Sequence, residues 1–457
     1  MIKFLEQYRV IFDKPIYCKN IIATISFFIL VIILLLIYGT NTIQYYDANR
    51  YVDLSESFSN LSFPNTIRGY SFPLIVFVLN KFVPVYIVAI IINSFCTVII
   101  SFYIFPKLFG VKHFCRQTVF KCLFVFFCMV YFWNGYFVYV LSDLISMTFF
   151  LLAVTLVLNN VRLKKFFFAG CFFALALNIR PVYQIVIPIF VLSFIWWTVF
   201  RYKYEKIICA ILFVVGLVGC LVPQVAINHH YNKNTYSPFV QTGASGSSLY
   251  IEQLWWGLAV PEYATYIGNQ SGYPTPSVFY VNNEGSLLYK DNKNHSLNNY
   301  FSILIQKPVF YIKNMVEHTW NGLDLKANTA YLTTVKVNYF ISVLNYIVLY
   351  LFITIIWLRR KDASSLCRGD VFFVGANILL VTLIVIPTAL ESRFFWPLHT
   401  MIYFVTGYNI GYIKYLCSSK KIVFNLMLMV MFISICLMLT NYSQSHLSFM
   451  TRAEVLR

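Results

Sequence analysis

The chain has 457 residues, of which 59% are hydrophobic and only 11% are charged. With a mean hydropathy of +0.70, this composition excludes an ordinary soluble globular protein. Apolar runs of about 20 residues recur along the chain, the length that an α-helix needs to cross a bilayer. The sequence therefore predicts an all-α polytopic membrane protein.

The formal net charge of +18 would suggest a nucleic acid partner in a soluble chain, but its distribution argues against one. With the N-terminus in the cytoplasm, most of the 35 Lys and Arg residues fall in cytoplasmic segments, whereas most of the 17 Asp and Glu residues fall outside. This asymmetry is typical of membrane proteins. We predict eleven transmembrane helices, at residues 20–40, 84–105, 120–136, 143–160, 166–180, 182–199, 207–227, 338–358, 371–389, 396–413 and 422–440.

The predicted spans divide the chain into four parts. Residues 1–227 form a membrane domain that includes the first external loop, and residues 228–337 form an external subdomain. Residues 338–440 return to the membrane, and residues 441–457 form an external tail. Within the external subdomain, residues 297–320 are predicted to form an amphipathic helix that bends near Pro308. Trp255 and Trp256 could anchor the subdomain at the membrane, pack in its interior or stack on a sugar.

The first external loop is rich in charged residues for its length. Residues 48–60 predict a helix on the membrane surface, and residues 72–80 predict a second interfacial helix that is too short to span. Asp47 stands at the predicted N-cap of the first helix, with Arg50 and Tyr51 on the same helical face. A carboxylate, a guanidinium and a phenol would thus meet at the mouth of the bundle.

Further charged residues lie at the predicted outer ends of the spans. Charges at membrane depth are costly, so they favour a functional site. With the loop residues, we expect them to surround one outward-facing cavity: Asp47, Arg50, Asp53, Glu56, Asp143, Arg180, Glu391 and Arg393. Structural interpretations stay open for six of them. Asp47 and Asp143 could be helix caps, Arg180 and Arg393 could extend to the membrane surface, and Asp53 and Glu56 could belong to a solvated helix face.

Carboxylates and arginines together suit sugar transfer from a lipid phosphate. The leaving phosphate departs without protonation, so the reaction needs a base for the acceptor hydroxyl and cations for the phosphate. Asp47 would be the base, and arginines would bind the phosphate through two parallel hydrogen bonds. Neither a Walker nor a Rossmann glycine pattern is present, which argues against nucleotide chemistry. The histidine and cysteine spacing does not favour a transition metal, although Asp47 with another external carboxylate could hold a divalent cation.

Five segments resemble motifs of the GT-C class of polyprenyl-phosphate-sugar-dependent glycosyltransferases. They are Asp47-Ala48-Asn49-Arg50-Tyr51, with Ala48 where the family has a second acid, the run from Arg68 to Pro73, Leu141-Ser142-Asp143, the hairpin ending in Asn178-Ile179-Arg180-Pro181, and Glu391-Ser392-Arg393-Phe394. Aminoarabinose transferases and protein O-mannosyltransferases belong to this class. In size the chain is most similar to bacterial O-antigen glucosyltransferases.

The resemblance implies an inverting transferase in the bacterial inner membrane, with its active site on the periplasmic side. Its donor would be a polyprenyl-phosphate-linked sugar, and its acceptor a surface glycan or lipid. Asp47 and Asp143 would be catalytic. The donor phosphate would bind Arg50, Arg68, Arg180 and Arg393, with support from Tyr51, Glu56 and Glu391.

Two other functions remain open from the sequence. An O-antigen polymerase or ligase also has about a dozen spans and one large external loop, but such enzymes use arginines in that loop, and residues 228–337 contain lysines and no arginine. A polysaccharide flippase or transporter would show two similar halves and charges in the middle of spans. The sequence shows neither feature.

Overall fold

The computed structural model describes residues 15–39, 42–64, 68–108, 116–158, 163–201, 206–231, 236–238, 249–267, 277–292, 295–333, 336–359, 369–412 and 422–450. Helices dominate these residues. In chain order they are α1 (Pro15–Tyr38), α2 (Tyr46–Asn60), α3 (Ser71–Asn80), α4 (Val85–Leu108), α5 (Arg116–Trp133), α6 (Asp143–Leu158), α7 (Lys164–Ile179), α8 (Ile187–Arg201, entered through a 3-10 turn at Pro181–Val186), α9 (Lys206–Tyr231), α10 (Leu249–Ala259), α11 (Asn283–Asp291), α12 (Leu297–Gln306), α13 (Pro308–Leu323), α14 (Tyr339–Arg359), α15 (Gly369–Val385), α16 (Trp396–Tyr408) and α17 (Ile422–Gln444).

Six of the described helices are long and apolar enough to cross a membrane, namely α1, α4, α8, α9, α14 and α17. They support the membrane-protein assignment. A helix coincides with each of the other predicted spans, but α6 and α7 have 16 residues each and α16 has 13. At 1.5 Å per residue, α16 is about 20 Å long and falls short of a hydrocarbon core of about 30 Å. The total of eleven spans therefore stays a prediction.

The helices around α7 pack closely because small residues lie at their contact. A Cβ atom on Gly170 of α7 would overlap the carbonyl oxygen of Phe213 in α9, and one on Gly216 of α9 would overlap that of Phe167 in α7. Close approach through glycine is a common packing solution inside membranes, where burial of apolar surface does not drive helix association. This pair, together with α6, places the end of α7 and the start of α6 side by side.

A small β-sheet in the external subdomain departs from the predicted all-α architecture. Its strands are β1 (Glu262–Tyr266), β2 (Ser277–Tyr280), β3 (Tyr331–Leu332) and β4 (Leu447–Met450), in the order β3-β1-β2-β4. β4 pairs antiparallel with β2, with Ser277 opposite Met450. The predicted tail thus contains the last turn of α17 and a strand. Its pairing requires residues 447–450 and the external subdomain to lie on the same side of the membrane.

Two predictions for the external subdomain can be compared with its structure. The amphipathic segment forms two helices, α12 and α13, instead of the predicted single bent helix, and the chain breaks at Lys307, directly before Pro308. Trp255 and Trp256 are buried in the subdomain. The Trp255 ring packs against Tyr300 and the Trp256 ring against Tyr263. Of the interpretations considered for the tryptophan pair, the structure supports interior packing.

Candidate functional site

The first turn of α2 presents Asp47 to the site. The N-cap prediction for Asp47 is wrong: the helix begins at Tyr46, and the capping position is Tyr45, whose side chain makes no cap hydrogen bond. Instead, the Tyr331 hydroxyl of β3 donates to the Tyr45 carbonyl at 2.7 Å and accepts from the Ala48 amide at 3.3 Å. The external subdomain thus satisfies this helix end, and the Asp47 carboxylate is left for other partners.

Those partners are arginines. Arg68 Nη2 lies 2.5 Å from Asp47 Oδ1, and Arg393 Nη2 lies 3.1 Å from Asp47 Oδ2. The Arg68 and Arg393 side chains are 14% and 8% exposed. Arg50 is more distant at 3.9 Å, and its side chain is 62% exposed. Two largely buried guanidinium groups therefore bind the two oxygens of one carboxylate, with Arg50 at the periphery.

A second carboxylate, Asp143, shares Arg393 with Asp47. Asp143 is the first residue of α6, and its Oδ2 lies 3.6 Å from Arg393 Nη1. Its other oxygen forms an ion pair with Arg180, and Arg393 also forms one with Glu391. Arg393 therefore faces three carboxylates. The guanidinium groups of Arg180 and Arg393 lie over the Phe394 ring, at 5.2 and 5.6 Å from its centroid.

The turn that carries Arg68 is fixed by polar contacts to α7 and α9. Asn178 accepts the Ser71 amide hydrogen at 3.0 Å, and Gln224 accepts that of Tyr70 at 2.8 Å. Gly69 approaches Asn178 so closely that a Cβ atom would overlap its backbone oxygen. Arg180 follows two residues after Asn178, where the chain becomes extended. The same contact thus positions Arg68 and Arg180 together.

The charges around Asp47 control its ionisation. Burial alone would raise the pKa of Asp47, but the positive charges of Arg393 and Arg68 outweigh burial and lower it below the ordinary value. Burial raises the pKa of Glu391 despite the neighbouring Arg393. Asp47 is therefore ionised and held by its cations, which makes it a weak base in this state.

The other supporting residues divide into two groups. Tyr51 is buried, its hydroxyl lies 2.8 Å from the Ser142 hydroxyl, and its ring lies under Arg68 at 5.4 Å from the guanidinium carbon. It links the α2 face to the residue that precedes α6. Glu56 is exposed, more than two turns from Asp47 on the same helix. The structure does not bring Glu56 into the cluster.

Sequence reasoning missed the contribution of the external subdomain. Besides Tyr331, it supplies Tyr263. Burial and the negative charge of Glu391 raise the pKa of Tyr263. Tyr263 also lines a cavity of about 60 Å³, together with the charged residues Glu262, Lys326 and Glu391. Lys326 forms an ion pair with Glu262 and lies 3.3 Å from the Ser443 hydroxyl of α17. These tyrosines and the lysine lie in a long external segment and follow no sequence pattern that marks a functional site.

A narrower, mostly apolar cleft opens on the other side of the arginine pair. Asp143, Arg180 and Arg393 form its polar end. Its walls are Val182, Tyr183, Val381, Val385, Phe394, Trp396 and Pro397. The two arginines thus lie where an apolar wall begins, beside about 20 Å³ of free space.

The donor set does not fit a divalent cation at Asp47. Both of its oxygens face guanidinium groups, and Asp143 is in the same situation. A metal ion would have to approach against three arginines. Among the residues that the structure describes, no group of three or more His, Cys, Asp or Glu side chains could hold a metal ion.

Comparison with known proteins gives no family for this chain: no family model, no curated protein and no solved structure matches it. The assignment of function rests on the residues of the site.

Proposed function

We propose that this chain is an integral membrane glycosyltransferase of the bacterial inner membrane. It would transfer a sugar from a polyprenyl phosphate to a surface glycan or lipid on the periplasmic face, with inversion at the anomeric carbon. The observation that carries the proposal is the position of Asp47 between Arg68 and Arg393, beside a second arginine–carboxylate pair. Sugar transfer from a lipid phosphate needs a base for the acceptor and cations for the phosphate in one place.

Asp47 suits the role of base better than Asp143. The Asp47 side chain is 36% exposed, whereas that of Asp143 is 6% exposed. Only an accessible carboxylate can accept a proton from a bound acceptor hydroxyl. Asp143 binds both Arg180 and Arg393, so we assign it a positioning role that holds the two guanidinium planes toward the donor.

The arginines would bind the donor phosphate at the end of the apolar cleft. Arg180 and Arg393 reach this cleft together, and a planar guanidinium can bind two phosphate oxygens at once. The cleft holds about 20 Å³ of free space, so its apolar walls would have to part to admit the first part of a polyprenyl chain. Such a donor would come from the membrane, which agrees with a site at the ends of the spans and with the lack of a nucleotide-binding pattern.

The reaction would then proceed by exchange of ionic partners. When a phosphate binds Arg180 and Arg393, Asp47 has to share the Arg393 cation with it, so the pKa of Asp47 rises and it becomes a stronger base. The acceptor oxygen attacks the anomeric carbon while its proton passes to Asp47. The bond between that carbon and the phosphate oxygen breaks, and polyprenyl phosphate leaves with the electron pair, stabilised by the arginines.

Transfer by the purified full chain in liposomes tests this proposal. The donors are undecaprenyl-phosphate sugars, offered singly as glucose, galactose, mannose and aminoarabinose derivatives, with lipopolysaccharide as the acceptor. We expect acceptor-dependent release of undecaprenyl phosphate from at least one donor. Release from none of them, by protein that remains folded, would contradict the proposal for these donors and favour a different lipid-linked substrate.

A further inference from the structure

Helices α12 and α13 expose an apolar stripe that the fold does not cover. Its six side chains are 40% to 81% exposed: Leu297, Phe301, Ile305, Val309, Ile312 and Val316. The spacing of four residues in α12, and of three and four in α13, places each group on one helical face. Contiguous exposed apolar surface of this kind marks an interaction site.

The stripe is not the face that the two helices use to pack into the subdomain. That face carries Tyr300, Ile303 and Phe310, which are buried with Leu254 and Trp255 of α10. In α13, Asn314 and His318 are buried on the same side. The helices are therefore fixed by one face and present a second apolar face outward, as helices do at a membrane surface.

The stripe continues the lipid-facing surface of the spans. Val309 lines the same cleft as Tyr442, near the outer end of α17. Around Tyr442, α17 exposes Met438 and Leu439. On another side of the subdomain, the Tyr250 hydroxyl of α10 donates to the Ile384 carbonyl at the end of α15, at 3.0 Å. The stripe thus lies near the end of α17.

Charged residues border the stripe. Lys307 stands between α12 and α13 and pairs with Glu284, and Lys313 faces Glu317 at 3.9 Å. Both lysines are exposed, at 43% and 63%. Their stems can extend along an apolar surface while the ammonium groups stay among lipid head groups. An apolar stripe bordered by lysines fits the boundary of a bilayer.

We propose that α12 and α13 lie in the outer leaflet, with this stripe among the acyl chains. The bilayer then anchors the external subdomain next to the bundle and steadies the contacts of β1 and β3 with the site. The proposal concerns placement in the membrane and is independent of the proposed reaction.

Site-specific photocrosslinking in liposomes tests it with the full chain. The photoreactive residue p-benzoylphenylalanine replaces Val309 or Val316 in the stripe. The matched control is Ser302, which is exposed on the polar side of α12, and Met438 of α17, 71% exposed, is the lipid-facing reference. Adducts are identified by mass spectrometry.

We expect phospholipid adducts at Val309 and Val316 at yields similar to Met438, and much lower yields at Ser302. Three outcomes would overturn the proposal. A crosslinked dimer at the stripe positions would show that a second copy covers the stripe, and an adduct with another protein would show a protein partner. Lipid yields at Val309 and Val316 no higher than at Ser302 would place the stripe in water.

Discussion

Arg393 donates a hydrogen bond to Asp47 at 3.1 Å, although 346 positions separate the two residues in the chain. The bond joins the first external loop to the segment before α16, and Arg393 also contacts Asp143 and Glu391. Buried charge pairs stabilise a fold weakly compared with apolar packing, but the loss of one partner is costly because the other charge is left buried and unpaired. A cluster of charge pairs with a carboxylate at its accessible edge is therefore a candidate functional site.

The first prediction concerns the base. Asp47→Asn keeps the shape of the side chain but cannot accept a proton, so we expect turnover to fall about 10²- to 10⁴-fold. The matched control is Asp53→Asn on the same helix, because Asp53 is exposed and accepts hydrogen bonds from Asn49. The measurement is the initial rate of undecaprenyl phosphate release, normalised to folded protein.

Protein level separates the two roles of Asp47. Normal turnover in Asp47→Asn would contradict its role as the base. Loss of folded protein together with activity would indicate that its ion pairs with Arg68 and Arg393 are structural. The control variant should match the wild type in both measurements.

The second prediction concerns the arginines. Lysine keeps the charge but loses the planar fork. We expect Arg393→Lys to raise the donor KM about 10- to 100-fold, in line with the loss of one or more charged hydrogen bonds. Arg180→Lys should act in the same direction, and Arg50→Lys, at the exposed periphery, should have little effect. Wild-type donor dependence in both Arg393→Lys and Arg180→Lys would assign them to the membrane interface.

The third prediction is a pH dependence. Arg393 and Arg68 lower the pKa of Asp47 in the free protein, and a bound phosphate would compete for these cations. The pH at which kcat/KM for the donor falls on the acid side reports the pKa of Asp47 in the free protein. The pH at which kcat falls reports its pKa in the donor complex. As pH falls, we therefore expect kcat to decline at a higher pH than kcat/KM does. Acid limbs at the same pH would contradict the exchange of partners.

The same pKa shift predicts the sign of a stability effect. Because the folded-state pKa of Asp47 lies below its ordinary value of 3.8, its ion pairs add stability above that value and lose it as pH falls through the folded pKa. Thermal unfolding of the wild type should therefore lose stability in this acid range. Asp47→Asn should lose less, since it has no such proton to take up.

The fourth prediction is topological. Pairing of β2 with β4 requires residues 277–280 and 447–450 to share one side, and the charge distribution predicts that this side is outside. A membrane-impermeant thiol reagent should label Ser302→Cys and Ser445→Cys in cells whose outer membrane is permeable, while the wild type provides the background. Labelling of either variant only after the cytoplasm is opened would overturn the assignment.

The sequence predicted the helices and the charged residues near the site because both leave local signals. Apolar runs mark the helices, and ionisable side chains at their ends stand out in a chain with so few charges. Asp47, Asp143, Arg180, Glu391 and Arg393 were selected in this way, and the structure brings them together.

The sequence could not predict what depends on distant pairing. Strands β3 and β4 have two and four residues, too few to show a pattern, and β4 pairs across more than a hundred and sixty positions. The same holds for Tyr331, whose hydroxyl takes the capping role that local rules assigned to Asp47. A local rule fails there because a tertiary partner satisfies the helix end first.

Native mass spectrometry tests whether the arginines around Asp47 bind a polyprenyl phosphate, without knowledge of the sugar. The purified chain is offered undecaprenyl phosphate or undecaprenol, which has the same lipid chain without the phosphate. We predict a bound species with undecaprenyl phosphate, little with undecaprenol, and loss of this preference in Arg393→Lys but not in Arg50→Lys. Equal binding of both lipids by the wild type, or a preference unchanged in Arg393→Lys, would contradict the account.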